Sequence, residues 1–447
     1  MKFIPNSGIK NEMIKEIGLK TIDDLFSDIP KDVLIKDLDL PAGFSQQKTH
    51  EELKNIAKMN KPCSESICFL GGGIKPHYIP AAVRAITSRS EFFTAYTPYQ
   101  SEASQGFLQA MFEYQSMIAE LTGMDISNCS LYDGVTALSE AVLMCHRINK
   151  KNKFIISKSI SQDKKSVLHN YTKGPGIKIH EVDYDNKTGR IDIDKLEKLI
   201  DEETSGVYIE QPNYFGVFEQ DIEKINSIVK KAGALFVVGV DLLSLGIVKP
   251  PGKYGADIVI GEGRVFGNSM DFGGCGLGVF ASKKEYLRQM PGRIIGLTED
   301  TQGKRAFCMA MQTREQHIRR ARATSNICTN EGLCALNTAV HLAWLGEERL
   351  RKLAEENLNK AIKLKKMIST LKDFELRFDA INFNEFVIKS KIKPKKIKKQ
   401  LLYKNIQIGP CLDKDFSELS DCILVGVTEL NSDEDFNKLI KYLKEVN

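Results

Sequence analysis

What the sequence lacks narrows its class first. The longest apolar run, Gly233 to Val248, is broken by Asp241 and falls short of the ~20 residues that a membrane-crossing helix needs. The opening residues, MKFIPNSGIKNEM, hold no apolar stretch of signal-peptide length, so a cytoplasmic setting with reduced cysteines is expected. The 10 cysteines are scattered without a CxxC pair, Cys63 and Cys68 being nearest to one another. That leaves metal-ligand spacing and a compact disulfide framework without support. A net charge of +5 over 447 residues is too small for a dedicated nucleic-acid binder. The glycine-rich segments 71–73 and 273–278 have neither GxGxxG spacing nor a GK[ST] ending, so they are read as tight turns or close backbone approaches and not as nucleotide cradles. No internal repeat or low-complexity tract is present.

What is there reads as a large globular protein. Hydrophobic residues make up 42% and charged residues 27%, a balance that disordered chains do not have. The length favours two or three domains and a core that needs no metal or disulfide. Residues 1–64 read as a helical arm. In it Thr21-Ile22-Asp23-Asp24 marks a helix start, and Pro30 and Pro41 are interruptions. Residues 65–330 read as a large α/β domain. Ile67 to Leu70 runs into three glycines, and Phe107, Met111, Tyr114, Ile118 and Leu121 form the stripe of a helix. Short β-branched runs then alternate with helical stretches: Phe154–Ile156, Ile177–Val182, Val207–Ile209, Leu235–Val240 and Ile258–Ile260. This pattern predicts a mostly parallel sheet covered on both faces. Residues 331–447 read as a small α+β domain. Its long amphipathic helix carries Leu350, Ala354, Leu358, Ala361, Leu364, Ile368 and Leu371. Strand-like runs follow near Leu376 and Phe386. Six lysines between Lys391 and Lys399 read as a solvated helix face, followed by a strand at Ile423–Val427 and a final helix from Ser432, boxed by Asp435.

Ligands of such sheets bind beyond the carboxyl ends of the strands. Asp133-Gly134-Val135-Thr136-Ala137 opens a helix with a glycine and a hydroxyl, which suits either an anion or an ordinary cap. Asp241 ends a buried strand and needs a partner, so it is either a ligand contact or a turn cap. Tyr96-Thr97-Pro98-Tyr99-Gln100 is a proline-fixed polar turn: a wall for a small substrate, or merely the lead into the next helix. Arg314 and His317, within the basic stretch REQHIRR at 314–320, fit a carboxylate or phosphate site, or a solvated or interface helix.

At these residues the sequence closely resembles the glycine cleavage system P-protein family, in the form split into two chains, and within it subunit 1. The strings SRSEFFTAYTPYQSEASQG, ELTGMDISNCSLYDGVTALSEA, YIEQPNYFGVFE, YGADIVIGEG, and MPGRIIG through REQHIRRARATSNICTN carry the resemblance. It implies a pyridoxal-phosphate-dependent transferase-like (fold-type I) scaffold. It also implies an oxidoreductase that decarboxylates glycine and passes the aminomethyl group to the lipoyl arm of the H protein, as a heterotetramer of two subunits 1 and two subunits 2. On that scaffold Asp241 would hold the cofactor's ring nitrogen, with Asp133, Gly134 and Thr136 near its phosphate. The Schiff-base lysine should follow the strand Ile258–Ile260, yet no lysine occurs from Tyr254 to Ser282, and Arg264 stands nearest. A guanidinium stays protonated and is no amine nucleophile. The resemblance therefore implies that subunit 2 holds the pyridoxal phosphate, while this chain shapes the shared site, with Tyr96, Thr97, Tyr99 and Gln100 as its wall. No membrane or nucleic-acid partner and no metal is expected. Two other readings stay open. One is a stand-alone enzyme using Lys249 or Lys253, although both precede the relevant strand. The other is a scaffold in which Asp241 and the Asp133 loop have no chemical role.

Overall fold

The computed structural model describes residues 7–35, 37–95 and 98–446. It divides into two compact units, Met1–Lys61 and Pro62–Asn447. In the first, helices run over Lys10–Glu16 and Gln46–Ala57. The second of these is capped by Ser45, whose Oγ accepts the Lys48 N–H at 3.3 Å. The helix expected to start at Thr21 is absent. Asp23–Phe26 makes one 3₁₀ turn, because the Asp24 carboxylate folds back onto the N–H groups of Lys20 and Thr21 at 2.9 and 2.8 Å. An acid that binds the preceding backbone competes with helix propagation. Among the described residues of this unit only Ile14 is buried, while Met13, Ile17, Leu25, Phe26, Leu38 and Leu40 are exposed.

The second unit holds fourteen strands among its described residues. The first seven are β1 Ile67–Leu70, β2 Ile126–Ser127, β3 Lys153–Ser157, β4 Lys178–Val182, β5 Thr204–Gln211, β6 Leu235–Asp241 and β7 Ile258–Glu262. The rest are β8 Gly278–Ser282, β9 Ile294–Glu299, β10 Arg305–Ala310, β11 Phe374–Leu376, β12 Glu385–Ser390, β13 Ile406–Gly409 and β14 Cys422–Gly426. Seven form one sheet in the order β2-β8-β7-β6-β5-β3-β4. The pairs among β3 to β7 are parallel, and β8 and β2 add an antiparallel edge.

Side-chain alternation explains the burial on both sides. Val207, Ile209, Phe236, Val238 and Val259 share one cluster with the Phe107–Ile118 stripe of the helix Gln105–Thr122. Tyr208, Leu235, Val237, Ile258 and Ile260 point to the other face, against Leu138, Val142 and Met144 of the helix Gly134–Asn149. Each fully buried aliphatic side chain contributes roughly 1.5–3 kcal/mol. The sheet is thereby held rigid at the strand ends that carry the polar residues.

The C-terminal layer contains the antiparallel sheet β11-β12-β14 and the parallel pair β1-β13. β1 precedes the large sheet in the chain but joins this layer, because Phe69 packs with Ile406, Ile408, Phe386 and Phe436. The long helix spans Gly332–Ile368, turns sharply at Gly346 (φ 63°, ψ 176°) and ends before Leu371. Asp433–Glu445 begins with the expected capping box between Ser432 and Asp435. The six lysines of 391–399 are exposed around the helix Pro394–Tyr403, which buries Ile397 and Leu401. All ten cysteines are free. Among the described residues no helix is long and apolar enough to cross a membrane.

Candidate active-site pocket

A cavity of about 280 Å³ opens beyond the carboxyl ends of β5, β6 and β7. Its lining brings together Asp133, Gly134 and Asp241, which lie far apart in sequence, with Lys75, Lys164, Glu210, Glu262, Arg264 and Glu385. Asp133 caps the helix Gly134–Asn149, its Oδ1 accepting the Thr136 N–H at 2.7 Å. Thr136 is buried within that helix. Close approach makes the glycine loop possible: a Cβ on Gly278 would meet the Asp133 carbonyl oxygen at 2.5 Å.

Glu262, Arg264, Lys75, Asp241, Glu385 and Lys164 all have partners within the chain. Glu262, the last residue of β7, directs Oε2 to the Gly134 N–H at 3.0 Å. Its Oε1 accepts the N–H groups of Leu277 (2.9 Å) and Arg264 (3.1 Å). Burial raises its pKa and outweighs those donors. The Arg264 guanidinium donates to the carbonyls of Met270 (3.0 Å) and Gly274 (2.8 Å), tying the glycine loop down. Lys75 is buried, with Nζ 3.3 Å from Glu385 and 3.7 Å from Asp241. Burial pulls its pKa down, but the Glu385 and Asp241 charges outweigh that and leave it raised. Asp241 Oδ1 also accepts the N–H groups of Leu243 and Ser244. Glu385 reaches back to the triple glycine, accepting the Gly72 N–H at 2.6 Å, where φ is +90°. Lys164 pairs with Glu210, which also accepts the Tyr208 hydroxyl at 2.8 Å.

A second constellation lies around Arg293. Its Nη2 donates to Tyr99 Oη at 2.9 Å and to the Cys328 carbonyl at 3.4 Å. Its Nη1 donates to Thr329 Oγ1 and Asn330 Oδ1 at 3.2 and 3.3 Å. His317 meets the Tyr99 ring edge-on at 5.9 Å and stands 3.7 Å from Glu315. Arg314, open to reading as an anion ligand or as part of a solvated or interface helix, donates to the carbonyls of Met290, Gly292 and Met311. The helix expected there is a single turn, Gln316–Arg319. Gln100 is exposed. Tyr96 and Thr97 lie outside the described residues.

Sequence reasoning missed Lys75, Glu262, Glu385 and Arg293. Glu262 carries a local signal, a charge closing a buried strand, of the same kind as that of Asp241. Lys75 and Glu385 had none, since their pairing spans most of the chain.

The residues of the cavity do not fit pyridoxal phosphate. The Gly134 N–H that would meet a phosphate is bound by Glu262, and the Thr136 N–H by Asp133. Both lysines of the cavity are paired with carboxylates, Lys75 with Asp241 and Glu385 and Lys164 with Glu210, whereas nucleophilic attack needs a neutral amine. Six carboxylates line the cavity against two lysines, one arginine and one histidine, a balance unfavourable to a phosphate dianion. Among the described residues no group of His, Cys, Asp and Glu could hold a metal ion.

Comparison with known proteins agrees with this architecture. The chain is 49% identical over 446 residues to a protein of Thermococcus onnurineus named probable glycine dehydrogenase (decarboxylating) subunit 1, with 99% of each chain covered. A crystal structure of glycine decarboxylase (P-protein) of the glycine cleavage system, in inhibitor-bound form, superposes with TM-score 0.92 at 38% identity over the whole of both chains. Glutamate decarboxylase of Lactobacillus brevis shares the fold at TM-score 0.68 and 13% identity, covering 94% of this chain and 97% of that one. The fold is that of the pyridoxal-phosphate-dependent transferase-like, fold-type I class. Residues 1–443 match the glycine cleavage system P-protein, and the chain belongs to that family.

Proposed function

We propose that this chain is subunit 1 of a two-chain glycine dehydrogenase (decarboxylating), active only when joined to a second chain that carries the Schiff-base lysine. In this reading subunit 2 holds the pyridoxal phosphate, which supplies the electron sink when glycine loses carbon dioxide. The aminomethyl group then passes to the lipoyl arm of the H protein. Two copies of each subunit make the assembly, in the cytoplasm. This chain binds no cofactor in its own cavity. It supplies the wall of the partner's site through Tyr96, Thr97, Tyr99 and Gln100, with His317 at the rim.

One observation carries the reading. Both lysines of the cavity and the Gly134 and Thr136 N–H groups at the helix end are bound to the chain's own carboxylates: Lys75 to Asp241 and Glu385, Lys164 to Glu210, Gly134 to Glu262 and Thr136 to Asp133. A chain of this family with its own cavity so occupied needs its chemistry elsewhere. The exposed apolar side chains of the N-terminal unit, among them Leu38, Leu40 and Met59, support an obligate partner, since such surface marks association sites. The test is co-expression with a second chain bearing a lysine at the aligned position. Glycine-dependent exchange of carbon dioxide is expected from the pair and from neither chain alone. Full exchange by this chain alone refutes the proposal.

A further inference from the structure

Three segments meet at the Arg293 guanidinium: the turn at Tyr99, far away in sequence, and the stretches 315–317 and 328–330. Arg293 is 5% exposed, whereas Tyr99 is 50% exposed and the His317 side chain 49% exposed. A small molecule therefore reaches the phenol and the imidazole but not the guanidinium. The guanidinium sits 5.1 Å from the Tyr99 ring centroid while one Nη donates to the phenol oxygen. That fixes the hydroxyl as an acceptor on its inner side and leaves its proton free to point outward. Glu315 extends the chain of contacts, with Oε2 4.0 Å from Arg293 Nε and 3.7 Å from His317 Nδ1.

We propose that Arg293 is a positioning residue, which acts on the reaction by holding the Tyr99 phenol, and through Glu315 the His317 ring, in fixed orientation on the wall of the shared site. This rests on the reading of Tyr99 as part of that wall. A planar fork with separate donors is needed to serve the phenol, Thr329, Asn330 and a carbonyl together. A lysine ammonium is a point donor and cannot span them.

The test uses the assembled two-chain enzyme and a double-mutant cycle of Arg293→Lys and Tyr99→Phe, read as kcat for glycine-dependent exchange of carbon dioxide. Each single substitution is expected to lower kcat about ten-fold, the scale of one charge-assisted hydrogen bond. The double variant should be no slower than the slower single one. Should Arg293→Lys prevent assembly, Thr329→Val weakens the same seat. It should lower kcat in the parent and leave Tyr99→Phe unaffected. Additive losses, or a normal Arg293→Lys enzyme, overturn the assignment of Arg293 while sparing Tyr99. A normal Tyr99→Phe enzyme overturns both the assignment and the reading of the wall.

Discussion

Glu262 Oε2 accepts the Gly134 N–H at 3.0 Å, so the carboxylate that ends β7 lies against the amino end of the helix Gly134–Asn149. Negative charge at a helix amino end is favourable. Here the chain provides that charge itself, at the point where related scaffolds are expected to bind an anion.

Removing the carboxylate should expose what it does. In Glu262→Gln one oxygen is kept for Leu277 and Arg264, but the amide nitrogen cannot accept from Gly134. A buried donor left unpaired costs about 1–3 kcal/mol. Denaturant melts of the isolated chain should show a loss of that size. Unaltered stability argues that the contact contributes nothing.

Lys75 offers a second prediction. Substituting Lys75→Met leaves Glu385 and Asp241 facing each other without a cation, in surroundings where Lys75 and Glu385 side chains are 3% and 8% exposed. Breaking a buried pair in this way typically costs 3–5 kcal/mol. A cooperative melt shifted down by about 3 kcal/mol is expected, and Lys75→Met with Glu385→Gln should recover part of it. If the double variant is no better than the single, the two groups are not energetically coupled.

A third concerns pH. Burial pushes the Glu219 carboxyl up to about 8, against the Ile191 N–H that both its oxygens accept. The folded state therefore favours the proton. Stability from this group is complete below the unfolded value near 4.5 and is lost as pH rises from there to about 8, by at most about 1.4 kcal/mol per unit. Glu219→Gln should gain on the parent between pH 5 and pH 8 in urea unfolding. A difference independent of pH would show that Glu219 is ionised throughout.

A fourth separates structure from binding at Arg314. Burial lowers its pKa, and its donors serve three backbone carbonyls. Arg314→Ala should cost about 2–3 kcal/mol of stability, because those acceptors lose their donors. In the assembled enzyme the KM for glycine should be unchanged. A raised KM with normal stability would instead make Arg314 a substrate ligand.

Local patterns made much of this legible. The β-branched runs near residues 155, 208, 237 and 259 all lie in the large sheet, since period-two burial on both faces leaves a continuous apolar signature. Asp133 as a cap and Ser432 with Asp435 as a box were visible because caps are local. The pairing of β1 with β13 was not, because 339 residues separate Ile67 from Ile406 and no short-range pattern encodes a parallel partner. The same holds for Glu385 against Gly72. The basic stretch at 314–320 misled in another way. Charge suggested a solvated helix or an anion site, but the Arg314 guanidinium is buried against carbonyls, a use of arginine that composition does not distinguish.

The most direct measurement is borohydride trapping. The purified chain is mixed with pyridoxal phosphate, reduced and examined by peptide mass spectrometry, alone and after assembly with a second chain. The account predicts cofactor mass on a lysine of the second chain only, with Lys75 and Lys164 unmodified. Stoichiometric cofactor on a lysine of this chain, with glycine turned over unaided, would contradict it.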